Sequence, residues 1–128
     1  MNAPHPEMVL RRARATVGAF AYRYRSEAHL HTLLDEVLTA GGLPVEREVQ
    51  LDPGNRVDLL LPAGVVVEVK VDGTLNEALR QVNRYIGFDR VQGVLLVATP
   101  RWAAQTLRER PKWGDKPFGM VCIRRQAL

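Results

Sequence analysis

Cysteine is nearly missing from this chain: Cys122 is the one thiol in 128 residues. A lone thiol cannot close an internal disulfide and fits a reducing compartment, so a cytoplasmic location is expected. No apolar run approaches the roughly 20 residues that span a bilayer. Residues 1–6 hold no apolar core of the signal-peptide kind, so neither membrane insertion nor secretion is expected. Internal repeats and low-complexity segments are lacking too. So are a Gly-rich phosphate loop, a Ser-His-Asp order and Cys/His zinc spacing, which removes three common chemistries from consideration. His5, His29 and His31 form no ligand set. His29 and His31 stand two apart on a helix, point to different faces, and are expected to cap or to face solvent.

What is present is ordinary globular material: 46% hydrophobic and 25% charged residues, enough for one domain with its own core. The net charge is +4 and unevenly spread. Arg11, Arg12, Arg14, Arg23 and Arg25 crowd the beginning; Arg101, Arg108, Arg110, Lys112, Lys116, Arg124 and Arg125 crowd the end. Basic ends around a near-neutral middle suit a clamp on a phosphate backbone, with a merely soluble arginine-rich surface as the plain alternative.

Periodicity places the elements. Pro6 to Phe20 is predicted helical, and Ala21 to Arg25 a connector. Ser26 is a good N-cap for a second helix that carries Leu30, Leu33, Leu34, Val37 and Leu38 at helical spacing and stops at Gly41-Gly42. Strands are predicted at Val45–Leu51, Arg56–Leu61 and Val65–Val71, separated by Asp52-Pro53-Gly54-Asn55 and Pro62-Ala63-Gly64. Such short turns imply an antiparallel meander, and the aliphatic content of the last two strands implies burial on both faces. A helix over Leu75–Phe88, a central strand over Gly93–Thr99, a helix over Pro100–Arg110 and an edge strand over Phe118–Arg124 complete an α/β order, ααβββαβαβ. The fourth strand follows a helix and is expected to run parallel to the third. Trp102 and Trp113 are expected to pack the last helix rather than to stack on bases.

Charge inside the most apolar stretch, Val57 to Val71, is the informative feature. Nine residues separate Asp58 from Glu68, and Glu68-Val69-Lys70 lies within a strand. Burying such groups costs several kcal/mol unless they pair or hold a metal. Strand alternation puts Glu68 and Lys70 on one face, and a hairpin partner can bring Asp58 opposite them. Two facing carboxylates repel, and magnesium or manganese, which prefer hard oxygen ligands, relieves that repulsion. The expected chemistry is phosphodiester hydrolysis. A metal on Asp58, Glu68 and the Val69 carbonyl activates water and phosphoryl oxygen, and Lys70 offsets developing charge.

Arg56-Val57-Asp58 followed by Glu68-Val69-Lys70 resembles the PD-(D/E)xK nuclease superfamily, the restriction-endonuclease-like fold. The resemblance runs from about Ser26 to Thr99 and implies an αβββαβ core with a mixed four- to five-stranded sheet flanked by helices. Residues 1–25 would be a basic helical extension, and 100–128 a helix and edge strand. The family's helix-borne acid corresponds to Glu27. Its Gln-x-x-x-Tyr motif corresponds to Gln81-Val82-Asn83-Arg84-Tyr85, as in RecB-like, lambda-exonuclease-like and virus-type replication-repair nucleases. The resemblance implies a magnesium-dependent nuclease acting on DNA. Asp58, Glu68, Lys70 and Gln81 would be catalytic, Glu27 would support the metal, and Arg25, Arg84 and Tyr85 would contact substrate. A homodimer fits the small size. Val57 replaces the proline before the aspartate, a departure that leaves the ligands untouched. The alternatives are a dimeric Holliday-junction resolvase and a non-catalytic DNA-binding module. Glu48, on the polar face of the first strand, is the competing acid.

Overall fold

Helix starts are set by local side chains. In a computed structural model of the chain, which describes residues 4–105 and 114–126, helix α1 (Pro6–Gly18) is capped by His5, whose Nδ1 accepts from the Glu7 N–H at 3.2 Å. Ser26 Oγ accepts from the His29 N–H at the start of α2 (Glu27–Ala40), and Thr74 Oγ1 from the Glu77 N–H at the start of α3 (Leu75–Ile86). Each cap satisfies a donor that the helix leaves unpaired, worth about 1 kcal/mol.

The strands are β1 (Ala21–Tyr22), β2 (Glu46–Asp52), β3 (Asn55–Leu61), β4 (Val65–Lys70), β5 (Gly93–Ala98), β6 (Phe118–Cys122) and β7 (Arg124–Arg125). Five of them build a mixed sheet in the order β2-β3-β4-β5-β6. The first two pairings are antiparallel; β4–β5 and β5–β6 are parallel. The meander, the parallel β5 and the edge position of β6 match the sequence reading.

The sheet is covered on both sides. Val9, Leu10, Ala13 and Val17 of α1 and Leu30, Leu34 and Leu38 of α2 pack with Leu61, Val65, Val67, Val69, Leu95 and Val97. Ala78, Val82, Tyr85 and Ile86 of α3, one helical stripe, pack on the other side with Leu60, Val66, Val94 and Leu96. Burying each such leucine contributes about 2 kcal/mol. Gly119 lets α1 approach β6: a Cβ there would stand 2.9 Å from a Leu10 methyl carbon.

Two expectations need correction. Residues 101–104 form a single 3₁₀ turn, and Gln105 is already extended, so the helix predicted over Pro100–Arg110 does not form across its first half. Its remainder lies outside the described residues, as do Arg108, Arg110, Lys112 and Trp113. Trp102 donates from Nε1 to the Gly73 carbonyl at 3.0 Å, anchoring this turn to the loop before α3. The predicted connector over Ala21–Arg25 contains β1, which pairs in parallel with β7 at the far end of the chain. Among the described residues, no helix is long and apolar enough to cross a membrane.

Candidate functional site

A slip in strand alternation creates the site. In a regular strand Val57, Leu59 and Leu61 would share one face. Here Leu59 and Leu61 pack toward α1 and α2, whereas Val57 packs with Leu60 on the α3 side. The slip falls at Asp58. Opposite, on β2, Arg47 reaches across to Thr32 of α2 at 3.1 Å while Val49 packs on the α3 side. Between them Glu48 has φ +51°, a left-handed backbone that non-glycine residues rarely adopt. The two paired strands therefore change face together.

The β3–β4 ladder pairs Leu59–Val67, Leu60–Val66 and Leu61–Val65. At Asp58 the side chain takes over: its Oδ2 accepts from the Val69 N–H at 3.1 Å. The carboxylate thus stands in the fork between β3 and β4, about one quarter exposed. Glu68 faces it and is 2% exposed, the one charged residue in the core among the described residues. Glu68 Oε2 has no hydrogen-bond partner. Burial, then the charge and contact of Asp58, push the Glu68 carboxyl up from 4.5 to about 9; Lys70 pulls it down and Glu27 adds to the rise. Without a cation, Glu68 holds a proton near neutrality.

Lys70, at the end of β4, lines an open groove of about 550 Å³ together with Glu77, Arg80, Gln81, Asn83 and Arg84 of α3. Gln81 Nε2 donates to the Tyr85 hydroxyl at 2.6 Å, which donates to the Arg56 carbonyl at 3.1 Å. Tyr85 is 3% exposed. It anchors Gln81 from beneath the groove rather than meeting a substrate itself, which corrects the substrate contact expected of it. Burial and the nearby charge of Glu68 raise the Tyr85 phenol above its ordinary value.

The predicted residues therefore converge in part. Asp58 and Glu68 meet, Lys70 is within electrostatic reach of Glu68, and Gln81 and Arg84 line the groove beside Lys70. Glu27, exposed at the start of α2, is within electrostatic reach of Glu68. It does not join the two acids as a third ligand: among the described residues, no group of three or more His, Cys, Asp and Glu side chains is arranged to hold a metal. Arg25 precedes the α2 cap, its side chain exposed and its N–H donating to His29 Nδ1. Glu48 faces solvent.

One site residue was not read from the sequence. His31 Nε2 lies 3.6 Å from Asp58 Oδ2, buried and without a hydrogen-bond partner. Pairing His31 with His29 concealed it. Pairing it with Glu27, one helical turn earlier on the same face, would have aimed both at the acids.

Asp58 and Glu68 are a carboxylate pair of the kind that can hold one small divalent cation. Magnesium is commonly held by one or two carboxylates, with water and substrate oxygens completing the shell. Asp58 and Glu68 supply that pair, Glu68 Oε2 has no hydrogen-bond partner, and His31, though close to Asp58, completes no three-residue ligand group among the described residues. The chain matches no family model, no curated protein and no solved structure.

Proposed function

We propose that this protein is a metal-dependent nuclease that hydrolyses DNA phosphodiester bonds, with a fold of the restriction-endonuclease-like, PD-(D/E)xK type. The observation that carries the reading is the apposition of Asp58 and Glu68 in the strand fork, one carboxyl buried with an orphaned oxygen, within electrostatic reach of Lys70. A fold gains no stability from a buried carboxylate facing a second one, whereas a bound cation offsets their repulsion.

When bound there, a divalent cation polarises a phosphoryl oxygen and eases deprotonation of water. The protein's own groups do the rest. Asp58 is held by the Val69 N–H, so its free lone pairs point where the β3–β4 ladder has opened. Lys70 presents positive charge at the rim of the groove, where negative charge grows on the phosphate during attack. Gln81 spends one amide N–H on Tyr85 and keeps the other, with its carbonyl, for the substrate. Arg80 and Arg84 attract the backbone into the groove. The reaction adds water across a P–O bond, giving a phosphate monoester and an alcohol.

Only two carboxylates converge, which favours as a second reading a DNA-binding module without turnover. One experiment separates them. Plasmid, single-stranded, flapped and four-way DNA are incubated with magnesium, manganese or EDTA. Cleavage is expected only with metal, and is lost in Asp58→Ala, Glu68→Ala and Lys70→Ala while DNA binding persists. Cleavage in EDTA, or by Asp58→Ala, refutes the mechanism; binding without cleavage of any substrate promotes the module.

A further inference from the structure

Two short segments about a hundred positions apart meet just before α2. Strands β1 and β7 pair in parallel, Ala21 with Arg124 and Tyr22 with Arg125, and the Gln126 N–H donates to the Tyr22 carbonyl at 2.8 Å. Tyr22 and Tyr24 are buried, and the Tyr22 hydroxyl donates to the Val17 carbonyl at 2.7 Å. Alternation along this extended segment turns Arg23 and Arg25 outward. Arg125 stacks 4.5 Å over the Tyr24 ring and donates to the Tyr24 carbonyl at 2.9 Å, which fixes its guanidinium. Arg124, paired with Ala21, falls on the same outward face as Arg23 and Arg25, while Arg125 lies on the tyrosine face; three exposed arginines, distant in sequence, are thereby gathered on one side of this small sheet and its extension. The ion pairs among the described residues, Arg11–Glu7, His31–Asp58 and Arg90–Glu46, include none of them. Like charges brought together without acids repel, and a polyanion relieves that cost.

The cluster adjoins the site. Arg25 directly precedes Ser26, the cap of α2, whose first turn carries Glu27 and whose next turn sets His31 against Asp58. Beyond the acids, Lys70, Arg80 and Arg84 line the groove. Basic residues therefore stand just before α2, which carries His31, and along the groove that holds Lys70.

We propose that Arg23, Arg25 and Arg124 form a phosphate-backbone contact for nucleic acid in addition to the groove. The identity of the polyanion as DNA rests on the nuclease reading; the contact itself does not need turnover.

The test is fluorescence anisotropy of a short labelled DNA duplex titrated with protein in EDTA over a range of salt. Each phosphate contact adds about 0.9 to the slope of log affinity against log salt. Arg23→Gln/Arg124→Gln is expected to lower that slope by about 2 and to weaken binding roughly tenfold at low salt. Arg23→Lys/Arg124→Lys retains most of the slope. Arg11→Gln/Arg90→Gln removes the same net charge from the acid-paired positions and is expected to change little. An equal loss in that control, an unchanged slope in the glutamine pair, or no DNA binding by the wild-type protein overturns the proposal. Wild-type cleavage in magnesium is read separately. Binding that depends on the arginines without any cleavage sinks the nuclease reading and leaves the contact standing. Cleavage with arginine-independent binding does the reverse.

Discussion

Replacing Glu68 with glutamine should make the metal-free protein more stable, an unusual outcome for a buried polar site. The glutamine is isosteric and neutral, and its amide can donate to Asp58 as a protonated carboxyl does. In the wild type the carboxyl is pushed from 4.5 to about 9 by burial and by Asp58. Between those values the folded chain keeps a proton that the unfolded chain has released. The folded state therefore binds more protons, and stability falls as pH rises through that window. This group's contribution is fully favourable below about 4.5 and fully lost above about 9. At pH 7 the distance from 4.5, at about 1.4 kcal/mol per pH unit, amounts to about 3.5 kcal/mol, as an upper bound for a coupled pair. Glu68→Gln should therefore gain up to about 3.5 kcal/mol at pH 7, upwards of roughly 10 °C in melting temperature, and up to about 1.4 kcal/mol at pH 5.5. Urea unfolding in EDTA from pH 5 to 8 measures it. Magnesium should then raise the wild-type midpoint and leave that of the variant unmoved, because binding to the folded state alone stabilises by mass action. Equal pH slopes in the two proteins, or a variant less stable at pH 7, would refute the facing of the two acids.

Three further outcomes follow from the same geometry. Tyr85→Phe removes the hydroxyl that joins Gln81 to the Arg56 carbonyl; it should cost about 1–2 kcal/mol by chemical denaturation and slow metal-dependent cleavage more than it weakens DNA binding in EDTA, and unchanged activity would show that the tether is idle. Gly64→Ala should cost more than about 2 kcal/mol, because the residue has φ +72° and a Cβ would stand 2.5 Å from the Arg90 carbonyl oxygen; a melting temperature within a degree or two of wild type counts against the tight turn. Glu48→Gly relieves a left-handed glutamate at φ +51° and should be neutral or stabilising by up to about 1 kcal/mol; a clear loss in urea unfolding would mean that the glutamate side chain makes a contact of its own.

Much of the fold was legible because its elements announce themselves locally. Ser26 caps α2, Gly41-Gly42 ends it, the Pro62–Gly64 turn joins two aliphatic strands, and α3 carries one apolar stripe. The pairing of β1 with β7 was not legible. Two residues have no period, and their partners lie about a hundred positions away. The helix predicted from Pro100 gives way to a 3₁₀ turn whose Trp102 is tied to Gly73, a long-range hydrogen bond that overrides local propensity. At the site, Asp58, Glu68 and Lys70 were readable as charges inside an apolar run. The manner of their meeting was not, because alternation assumes a regular ladder and cannot foresee a slip at Asp58. His31 was missed because its partner is set by helix packing and not by its neighbouring histidine.

The slip accounts for the arrangement of the whole centre. A regular β3 would keep its ladder to β4 beyond Leu59, and the Val69 N–H would have a strand carbonyl as partner. Opening the ladder frees that N–H for a carboxylate, and it admits α2 from one side of the sheet to a site whose groove is formed by α3 on the other. His31 and Glu27 can approach Asp58 and Glu68 only through such a gap, since a continuous sheet would separate them. The left-handed backbone at Glu48 is the local cost, of order 1 kcal/mol. A sheet under selection for stability alone has no reason to bear that cost together with a buried acid facing another acid. Both irregularities fall at adjoining strand positions, one opening the sheet and the other filling the opening with charge, the arrangement on which the proposed cation site rests.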